Sequence, residues 1–210
     1  MIFNSNEELI NYLIRKGVLK TEKIIKAFLK IDRKYFVGER NKFEAYGDYP
    51  LPIGEGQTIS QPWTVAFMLE LLEPGVGNKI LDVGIGSGWT TSLLAEIVGN
   101  SGKVYGIEIN KNILNFGMEN IKKYNFIDKK IVFLKLGDGS RGWKEFSPYD
   151  RILVSAAAKN IPDDLIDQLS VNNGIMVIPD YSGIYKIIKT EEEIKKFYYE
   201  GFVFVPLVNE

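Results

Sequence analysis

A chain of 210 residues with a formal net charge of −1 at pH 7 has room for one well-packed domain, and its charge gives no support for a general nucleic-acid binder. It contains no cysteine and no histidine, which excludes disulfides, thiolate zinc sites and Ser-His-Asp hydrolases, and we expect no metal site. No apolar run reaches the roughly 20 residues of a membrane span and no signal-peptide core begins the chain, so we expect a cytoplasmic protein without a membrane partner.

The N-terminal part of the chain, residues 1–62, is predicted to be a helical extension that leads into an irregular segment. Apolar residues recur at helical spacing in two short stretches, which predicts two amphipathic helices. The basic residues around them are expected to form a solvated helix face. The irregular segment, Gln57–Pro62, precedes a predicted helix over Thr64–Leu72. The apolar positions of the first two helices are Leu9, Ile10, Leu13, Ile14, Ile24, Ile25, Phe28 and Leu29.

Residues 79–180 alternate strand-like and helix-like patterns, which predicts a doubly wound, mostly parallel sheet with helices on both faces, the core of an α/β fold that binds a cofactor. Asn110 has a side chain suited to cap the helix that follows it, and Pro162 is favoured in a first helical turn. Strands are predicted over Lys79–Val83, Val104–Ile109, Ile131–Leu136, Arg151–Ser155 and Gly174–Ile178, and helices over Thr90–Val98, Asn110–Tyr124 and from about Pro162.

The last part of the chain, residues 181–210, breaks this alternation. Two strand-like runs, Tyr185–Thr190 and Phe197–Val205, flank the charged hexapeptide Glu191–Lys196, which is too short for a crossover helix. We therefore predict a C-terminal antiparallel hairpin on the sheet edge, with the hexapeptide at its tip, which brings the sheet to seven strands. The whole chain, residues 1–210, is expected to form a single domain.

A group of glycines, carboxylates and small residues is predicted to meet at one rim of this sheet, because ligands of doubly wound folds bind outside the carboxyl ends of the strands. Each feature alone could be an ordinary turn or cap, but together they predict a nucleoside site. Glu108 could accept the hydroxyl groups of a ribose, and Asp138 could accept from an exocyclic amine. The residues are Gly84, Gly86 and Gly88 after the first strand, Glu108 at the end of the second, Asp138 and Gly139 after the third, and Ser155, Ala156, Ala157 and Ala158 after the fourth.

The glycine turn has the pattern D-x-G-x-G-x-G over Asp82–Gly88, which differs from the G-x-G-x-x-G fingerprint of dinucleotide binding and lacks the ending of a P-loop. This spacing favours a ligand that carries an amino-acid moiety, with nicotinamide dinucleotide as the competing cofactor. Here the sequence resembles the S-adenosylmethionine-dependent methyltransferases of the Rossmann-like class. The resemblance implies that the glycine turn abuts the methionine part of the cofactor, that Glu108 holds the ribose, and that Asp138 reaches the adenine.

The segment PLPIGEGQTISQP, residues 50–62, lies directly upstream of this core. Taken alone, Ser60 followed by Pro62 is typical of a helix N-cap, and Phe204–Val208 of an edge strand. The segment resembles the signature of protein-L-isoaspartate O-methyltransferases, and the likeness continues in the family's order through LDVGIGSG, GDGSRGW, PYDRILVSAAA, IPDDLIDQL and FVPLV. The resemblance implies that Ser60 is the active-site serine and that Thr58 and Ile59 line the cofactor site. The residues it implies for binding the isoaspartyl peptide are Ser60, Ala156, Ala157, Val205, Pro206 and Leu207.

The reaction implied by this resemblance transfers the methyl group of S-adenosylmethionine to the free carboxylate of isoaspartyl residues in damaged proteins, which starts their repair through a succinimide. It suits a chain without histidine, because an isoaspartyl α-carboxylate with a pKa of about 3.5 is already ionised at neutral pH and needs no general base. Ser60 would orient that carboxylate as a hydrogen-bond donor. The expected partners are isoaspartyl-containing proteins and peptides, with no stable nucleic-acid partner, and the expected state is a monomer.

The chain departs from the family's pattern at several positions. Family members commonly have Ala and His where this chain has Gln61 and Trp63, and we expect Trp63 to pack in the core. Glu55 puts a carboxylate near a site that must bind a carboxylate, and Pro179-Asp180 replaces the family's turn after the fifth strand. The alternatives are a methyltransferase that acts on RNA or a small molecule, a binding protein that keeps the cofactor pocket without turnover, and a dehydrogenase.

Overall fold

The computed structural model describes residues 1–207, so Val208, at the end of the predicted segment Phe204–Val208, lies outside the described residues. The described residues contain six α-helices and nine β-strands. The helices are α1 (Asn6–Arg15), α2 (Glu22–Lys30), α3 (Pro62–Leu72), α4 (Trp89–Val98), α5 (Lys111–Lys122) and α6 (Asp163–Gln168). The strands are β1 (Leu51–Gly54), β2 (Gln57–Ile59), β3 (Lys79–Val83), β4 (Lys103–Glu108), β5 (Val132–Leu136), β6 (Arg151–Val154), β7 (Gly174–Pro179), β8 (Gly183–Lys189) and β9 (Ile194–Glu200).

The central sheet has seven strands in the order β5-β4-β3-β6-β7-β8-β9. The first five strands of this order run parallel, and β8 and β9 each run antiparallel to the strand before them. The chain reverses its direction of travel across the sheet at β3, whose neighbours are β4 and β6. The predicted doubly wound, mostly parallel α/β fold is therefore confirmed, and a switch point of this kind is where such sheets bind ligands.

The sheet separates two apolar layers because successive side chains of a strand point to opposite faces. On β3, Ile80 packs with the layer that includes the N-terminal helices, whereas Leu81 and Val83 pack with the opposite layer. The opposite layer contains Leu165 of α6 and Tyr149. Strands covered on both faces have few polar residues, which is why the sequence predicted the bounds of β3 correctly.

The two N-terminal helices bury one side each, as their spacing predicts. Leu13 and Phe28 are almost fully buried, but Ile14 and Leu29, which the spacing also assigned to the apolar sides, are 38% and 49% exposed. The predicted solvated basic face carries surface ion pairs, such as the one between Lys30 Nζ and Glu96 at 2.7 Å. Among the described residues, none of the helices combines the length and the apolar character that crossing a bilayer requires.

The structure corrects the predicted irregular segment at Gln57–Pro62. Gln57–Ile59 is strand β2, which pairs antiparallel with β1 so that Leu51 lies opposite Ile59. Glu55 and Gly56 form the turn between them with φ of 51° and 72°. Strands of three and four residues show too few alternations for a periodicity to be visible, so the sequence pattern did not reveal this hairpin.

The predicted C-terminal hairpin is confirmed, but the predicted bounds of its second strand were wrong. Strand β9 begins at Ile194, inside the charged hexapeptide, and ends at Glu200 rather than at Val205. Gly201 follows with φ of 94°, which ends the strand because extended backbone needs a negative φ. Residues 202–207 then cross towards β6, where Pro206 forms an isolated bridge with Ala157.

Candidate active site

A cavity of about 340 Å³ lies at the carboxyl ends of β3, β4 and β6, within the size range of small-molecule sites. Its walls come from the β1–β2 hairpin, the glycine turn after β3, the end of β4 and the C-terminal segment. Twelve of the residues predicted for the rim and the site line it: Thr58, Ile59, Ser60, Gly84, Gly86, Glu108, Gly139, Ser155, Ala156, Val205, Pro206 and Leu207.

Of the other predicted residues, Ala158 is buried outside the lining and donates its N–H to the carbonyl of Pro179 at 2.9 Å, and four more lie behind the lining. Asp82 is fully buried under the glycine turn, and Gly88 packs between helices. Asp138 faces its own turn, as described below. Ala157 is fully buried, but its N–H donates to the carbonyl of Val205 at 2.8 Å and thereby anchors the C-terminal segment. These four positions hold the cavity walls in place from outside.

Gly86 and Gly88 have different structural roles in the turn. A Cβ atom on Gly86 (φ 53°) would meet only Ile53 Cδ1, at 3.8 Å, so Gly86 leaves open space on the cavity side. A Cβ atom on Gly88 (φ 82°) would lie 2.8 Å from the carbonyl oxygen of Gly117 and 2.8 Å from Ile121 Cγ1. Gly88 therefore allows α4 and α5 to pack closely, whereas Gly86 shapes the cavity.

Glu108 is 7% exposed at the end of β4 and lines the cavity. Its Oε1 atom accepts hydrogen bonds from the N–H groups of Ile109 and Asn110 at 3.0 and 3.1 Å, and its Oε2 atom accepts one from Gly86 at 3.1 Å. A carboxylate has about four acceptor positions, so Oε2 keeps one for a ligand hydroxyl. The three backbone donors also fix the carboxylate in one orientation and tie the glycine turn to the end of β4.

Asp138 caps the turn that follows β5. Its Oδ1 atom accepts from the N–H of Ser140 at 2.9 Å and from the Ser140 hydroxyl at 2.7 Å, and Arg141 Nε lies 3.5 Å from Oδ2. The adjacent Gly139 does line the cavity, and a Cβ atom there would lie 2.4 Å from Val83 Cγ1. The turn after β5 therefore presents backbone rather than a bulky side chain to the cavity.

Asp82 is a buried carboxyl group beneath the glycine turn. Its Oδ2 atom accepts a hydrogen bond from the Thr91 hydroxyl at 2.7 Å, and its Oδ1 atom has no partner among the described residues. Burial raises the pKa of Asp82 to about 7; the nearby Glu108 adds to the rise and the bond from Thr91 opposes it. The contact with Thr91 joins β3 to the first turn of α4, which fixes the turn between them.

Ser60 lines the cavity and is not the N-cap of the following helix, which corrects the local expectation from its spacing to Pro62. Helix α3 begins at Pro62, and the Asp48 Oδ1 atom accepts the N–H of Trp63 at 2.9 Å. Asp48, which lies 15 residues before Trp63 in the sequence, therefore does the capping. Among the described residues the Ser60 hydroxyl has no hydrogen-bond partner, so it is available to a ligand.

Arg33 is a residue that the sequence analysis missed. Its side chain is fully buried, and its Nη atoms donate to the carbonyl oxygens of Ala45, Gly47, Tyr49 and Ser60. Burial lowers the pKa of the guanidinium to about 10, so it stays charged at neutral pH. A lone arginine in a helical pattern gives no sequence signal for this role, because its partners are brought to it by the fold.

Two of the departures from the family's pattern near Ser60, Glu55 and Trp63, lie outside the cavity lining. Glu55 stands at the tip of the β1–β2 hairpin, where its carboxylate accepts a hydrogen bond from Asn112 Nδ2 at 3.1 Å outside the cavity lining. Trp63 packs against the core but is only half-buried, and its ring stacks on Phe67 and Phe202. Glu55 therefore faces α5 and not the cavity.

Other lining residues that the sequence analysis did not select are sequence neighbours of those it did. Ile107 and Ile109 flank Glu108, and Ser87 and Thr90 follow Gly86. Asn110 was selected only as a helix cap, and the structure confirms that role, since its Oδ1 atom accepts from the N–H of Asn112 at 2.9 Å. At the strand ends, several consecutive residues line the cavity, so each predicted residue identifies a short segment of the lining.

Comparison with known proteins gives concordant similarities. Residues 4–210 match the family model described as protein-L-isoaspartate(D-aspartate) O-methyltransferase. The chain is 44% identical over 210 residues to a protein-L-isoaspartate O-methyltransferase of Ignicoccus hospitalis, with 97% of each chain covered. It is 40% identical over 211 residues to one of Methanopyrus kandleri, covering 98% of this chain and 92% of the relative.

A solved structure shows the same fold over its whole length. It is a Plasmodium falciparum protein described as a protein-L-isoaspartate O-methyltransferase in complex with S-adenosyl-L-homocysteine. The match has a TM-score of 0.87 at 28% identity and covers 98% of this chain and 99% of that one. The similarity therefore extends through the N-terminal helices and the C-terminal segment and is not limited to the glycine turn.

Proposed function

The chain belongs to the protein-L-isoaspartate O-methyltransferase family, and from this membership we propose that its candidate active site transfers the methyl group of S-adenosylmethionine to the free carboxylate of isoaspartyl residues in damaged proteins. The observation that carries the proposal is the shared cavity of Ser60, the glycine turn and Glu108. Three segments spread between Ser60 and Glu108 thus bring a hydroxyl donor to a site suited to a nucleoside.

The free acceptor position and the space in the cavity fit S-adenosylmethionine. The remaining acceptor position of Glu108 suits a ribose hydroxyl, and the backbone of Gly84 and Gly86 leaves room for the methionine part. Thr58, Ile59 and Gly139 complete the walls. When bound, this group supplies a methyl carbon on a sulfonium, which an ionised oxygen can displace in line without an added base.

The residues behind the lining are proposed to position those in front of it. Asp82 holds the glycine turn through Thr91, and Gly88 sets the approach of α4 to α5. Asp138 fixes the turn that presents Gly139. The bonds from Ser140 engage only the Oδ1 atom of Asp138, and its Oδ2 atom is proposed to accept a hydrogen bond from the exocyclic amine of the adenine.

Ser60 is proposed to donate its hydroxyl hydrogen to the isoaspartyl carboxylate and to hold it for attack on the methyl carbon. The carboxylate is ionised at neutral pH, so orientation and the exclusion of water supply the catalysis. Ala156 and the segment Val205–Leu207, which Ala157 anchors, form the wall along which the substrate backbone lies. No residue needs to accept a proton in the transfer step.

The product accounts for a repair function. A methyl ester carries methoxide, a better leaving group than the oxygen of a free carboxylate. The neighbouring backbone nitrogen therefore attacks the ester carbonyl, loses its proton and releases methanol as the succinimide ring closes. Hydrolysis of the ring then returns part of the material to normal aspartate. We propose that the partners are flexible segments of many proteins, and that the enzyme works as a cytoplasmic monomer without a nucleic-acid partner, in keeping with its net charge of −1.

Radiolabelled methyl transfer tests the proposal. The enzyme is given labelled S-adenosylmethionine and either a peptide that contains isoaspartate or its aspartate twin. We expect base-labile label on the isoaspartyl peptide alone. Label on neither peptide, with S-adenosylmethionine binding measured by calorimetry, would overturn the proposed substrate, and label on both would overturn the proposed selectivity.

A further inference from the structure

A second groove adjoins the candidate active site and has no role in the proposed reaction. We name it the aromatic groove; it is lined by Gln61, Trp63, Phe67, Tyr199, Phe202 and Val203. Two chain segments pass from the active-site cavity to this groove: Ser60 lines the cavity and Gln61, the next residue, lines the groove, and Val203 lines the groove two residues before Val205 lines the cavity. A chain lying across Ser60 therefore reaches this groove next.

The groove is built from stacked rings. Trp63 lies 5.4 Å from Phe67 and 5.8 Å from Phe202 between ring centroids, with interplanar angles of 11° and 29°. Phe67 and Phe202 are 5.0 Å apart, and Tyr199 meets Phe67 edge-on at 5.4 Å. Rings in offset-stacked and edge-on pairs attract one another beyond their buried area, so the cluster holds its shape.

These rings remain partly in water. Trp63, Phe67, Tyr199 and Phe202 are all half-buried, and Val203 is 89% exposed. An apolar patch of this kind beside an active site gains free energy from a ligand that covers it. Trp63 and Phe67 lie on α3, Tyr199 lies near the end of β9, and Phe202 lies two residues beyond that strand, so the rings pack together without a ligand.

We propose that the aromatic groove binds an aromatic side chain of the substrate, within about three residues of the isoaspartate, and so gives the enzyme a preference for substrate sequence. An extended chain advances about 3.3 Å per residue, so three residues cover about 10 Å. Glu200 also borders the groove, which disfavours an acidic side chain there. This proposal rests on the proposed function, because it assigns a neighbouring subsite to the same polypeptide substrate.

A peptide series tests the preference. The parent isoaspartyl peptide has alanine at the three positions on each side, and single phenylalanine or glutamate residues are moved through these positions. We expect phenylalanine at one position to raise kcat/KM about 10-fold over the parent, mainly through KM, as stacking on a ring cluster predicts. Glutamate at that position should lower it. Equal rates for phenylalanine at all six positions and for the parent would overturn the proposal.

Variants assign the preference to the groove. In Trp63→Ala and in Phe202→Ala the phenylalanine-to-parent ratio should fall towards unity, while kcat/KM for the parent peptide changes by less than about 3-fold. Phe197→Ala is the matched control, since Phe197 is an exposed ring of β9 that lies outside the groove, and it should keep the full ratio. A ratio that survives in both groove variants would place the preference elsewhere.

Two further measurements separate the possible failures. Trp63→Leu keeps an apolar side chain but has no ring, so it separates the effect of the ring from that of apolar surface. Calorimetric binding of S-adenosylhomocysteine shows whether each variant is folded. If no isoaspartyl peptide is methylated, the proposed function fails, and the subsite is then judged by the affinity of the phenylalanine and parent peptides for the protein loaded with S-adenosylhomocysteine. Equal affinities there would overturn the subsite as well.

Discussion

The Nη2 atom of Arg33 lies 3.2 Å from the carbonyl oxygen of Ser60, so a buried arginine from the N-terminal region holds the turn that carries the proposed active-site serine. The same guanidinium bonds three other carbonyls of the loop before β1, and its face lies 5.5 Å from the Trp89 ring at the start of α4. The planar fork of arginine can bond several carbonyls at once, which a lysine ammonium cannot do in the same geometry.

Arg33→Lys should therefore impair substrate use more than cofactor binding. We expect kcat/KM for an isoaspartyl peptide to fall about 10-fold, because losing one or two hydrogen bonds loosens the Ser60 turn. The affinity for S-adenosylhomocysteine should change by less than about 3-fold, since Glu108 and Gly86 are bonded to each other and not to Arg33. Steady-state kinetics and calorimetry measure the two quantities.

Arg151→Lys is the matched control for this substitution. Arg151 also donates to backbone carbonyls, among them those of Glu73 and Asn173. It lies at the first residue of β6, at the end of the parallel strands opposite the cavity. It should lower thermal stability without changing the KM for the peptide. Equal effects of the two substitutions on the KM would contradict a positioning role for Arg33.

Ser60→Ala and Asp48→Ala should divide activity from stability. Ser60→Ala removes a hydrogen bond to a charged carboxylate, so kcat/KM should fall about 10- to 100-fold while stability is unchanged. Asp48→Ala removes the cap of α3 and should cost about 1 kcal/mol, or about 2–4 °C in Tm. Asp48→Asn, which keeps an acceptor oxygen, should retain most of that stability.

The pH profile adds a second criterion for Ser60. Because no base is titrated in the proposed step, the Ser60→Ala variant should show the same shape of kcat/KM against pH as the unmodified enzyme, between about pH 6 and about pH 9. A change in that shape would mean that Ser60 takes part in proton transfer.

Gly86→Ala should mainly weaken cofactor binding and Gly88→Ala should mainly lower stability, although both glycines belong to one turn. In Gly86→Ala the new methyl group meets only Ile53 and borders the cavity, so we expect a loss of about 1 kcal/mol from the positive φ and a large loss of S-adenosylhomocysteine affinity. In Gly88→Ala the methyl group collides with Gly117 and Ile121, so stability should fall by more than about 3 kcal/mol.

Urea unfolding and calorimetry test this pair of glycine variants. A Gly88→Ala protein as stable as the unmodified enzyme would show that α4 and α5 can separate cheaply. A Gly86→Ala protein that binds S-adenosylhomocysteine normally would remove Gly86 from the cofactor site.

The buried Asp82 predicts a pH-dependent stability. Its pKa is about 7 in the folded chain and about 3.9 in the unfolded chain, so between these values the folded state holds more protons. The contribution of Asp82 to stability is therefore greatest below about pH 4 and is lost as the pH rises towards 7. Asp82→Asn lacks this loss, so the variant should gain on the unmodified protein by up to about 1.4 kcal/mol per pH unit in this window.

Urea unfolding of both proteins between about pH 5 and about pH 8 measures this difference, in which the other titrating groups cancel. The advantage of Asp82→Asn should grow up to about pH 7 and then level off. A constant difference over the whole range would show that Asp82 is ionised throughout, with its charge compensated by Thr91 and its surroundings.

The sequence by itself determined the parallel core and the rim of the site. Strand β3 and helix α4 were predicted within one residue, because apolar periodicity is a local property of each element. The same periodicity placed the glycine turn and Glu108 at the ends of neighbouring parallel strands, which topology alone brings to one edge. The sequence pattern missed the short strands β1 and β2 and misplaced the end of β9. Pairing with another strand decides where these elements begin and end.

Only the tertiary structure decided which residues support the site from behind. Arg33 acts on Ser60 across 27 residues, and Asp48 replaces Ser60 as the cap of α3 across 15 residues. Trp63 was expected in the core, yet its stacking on Phe202, which follows β9, makes it part of the aromatic groove. A hydrogen bond or a ring stack depends on the distance between atoms in space, and that distance is set by how the whole chain packs and not by spacing along the sequence.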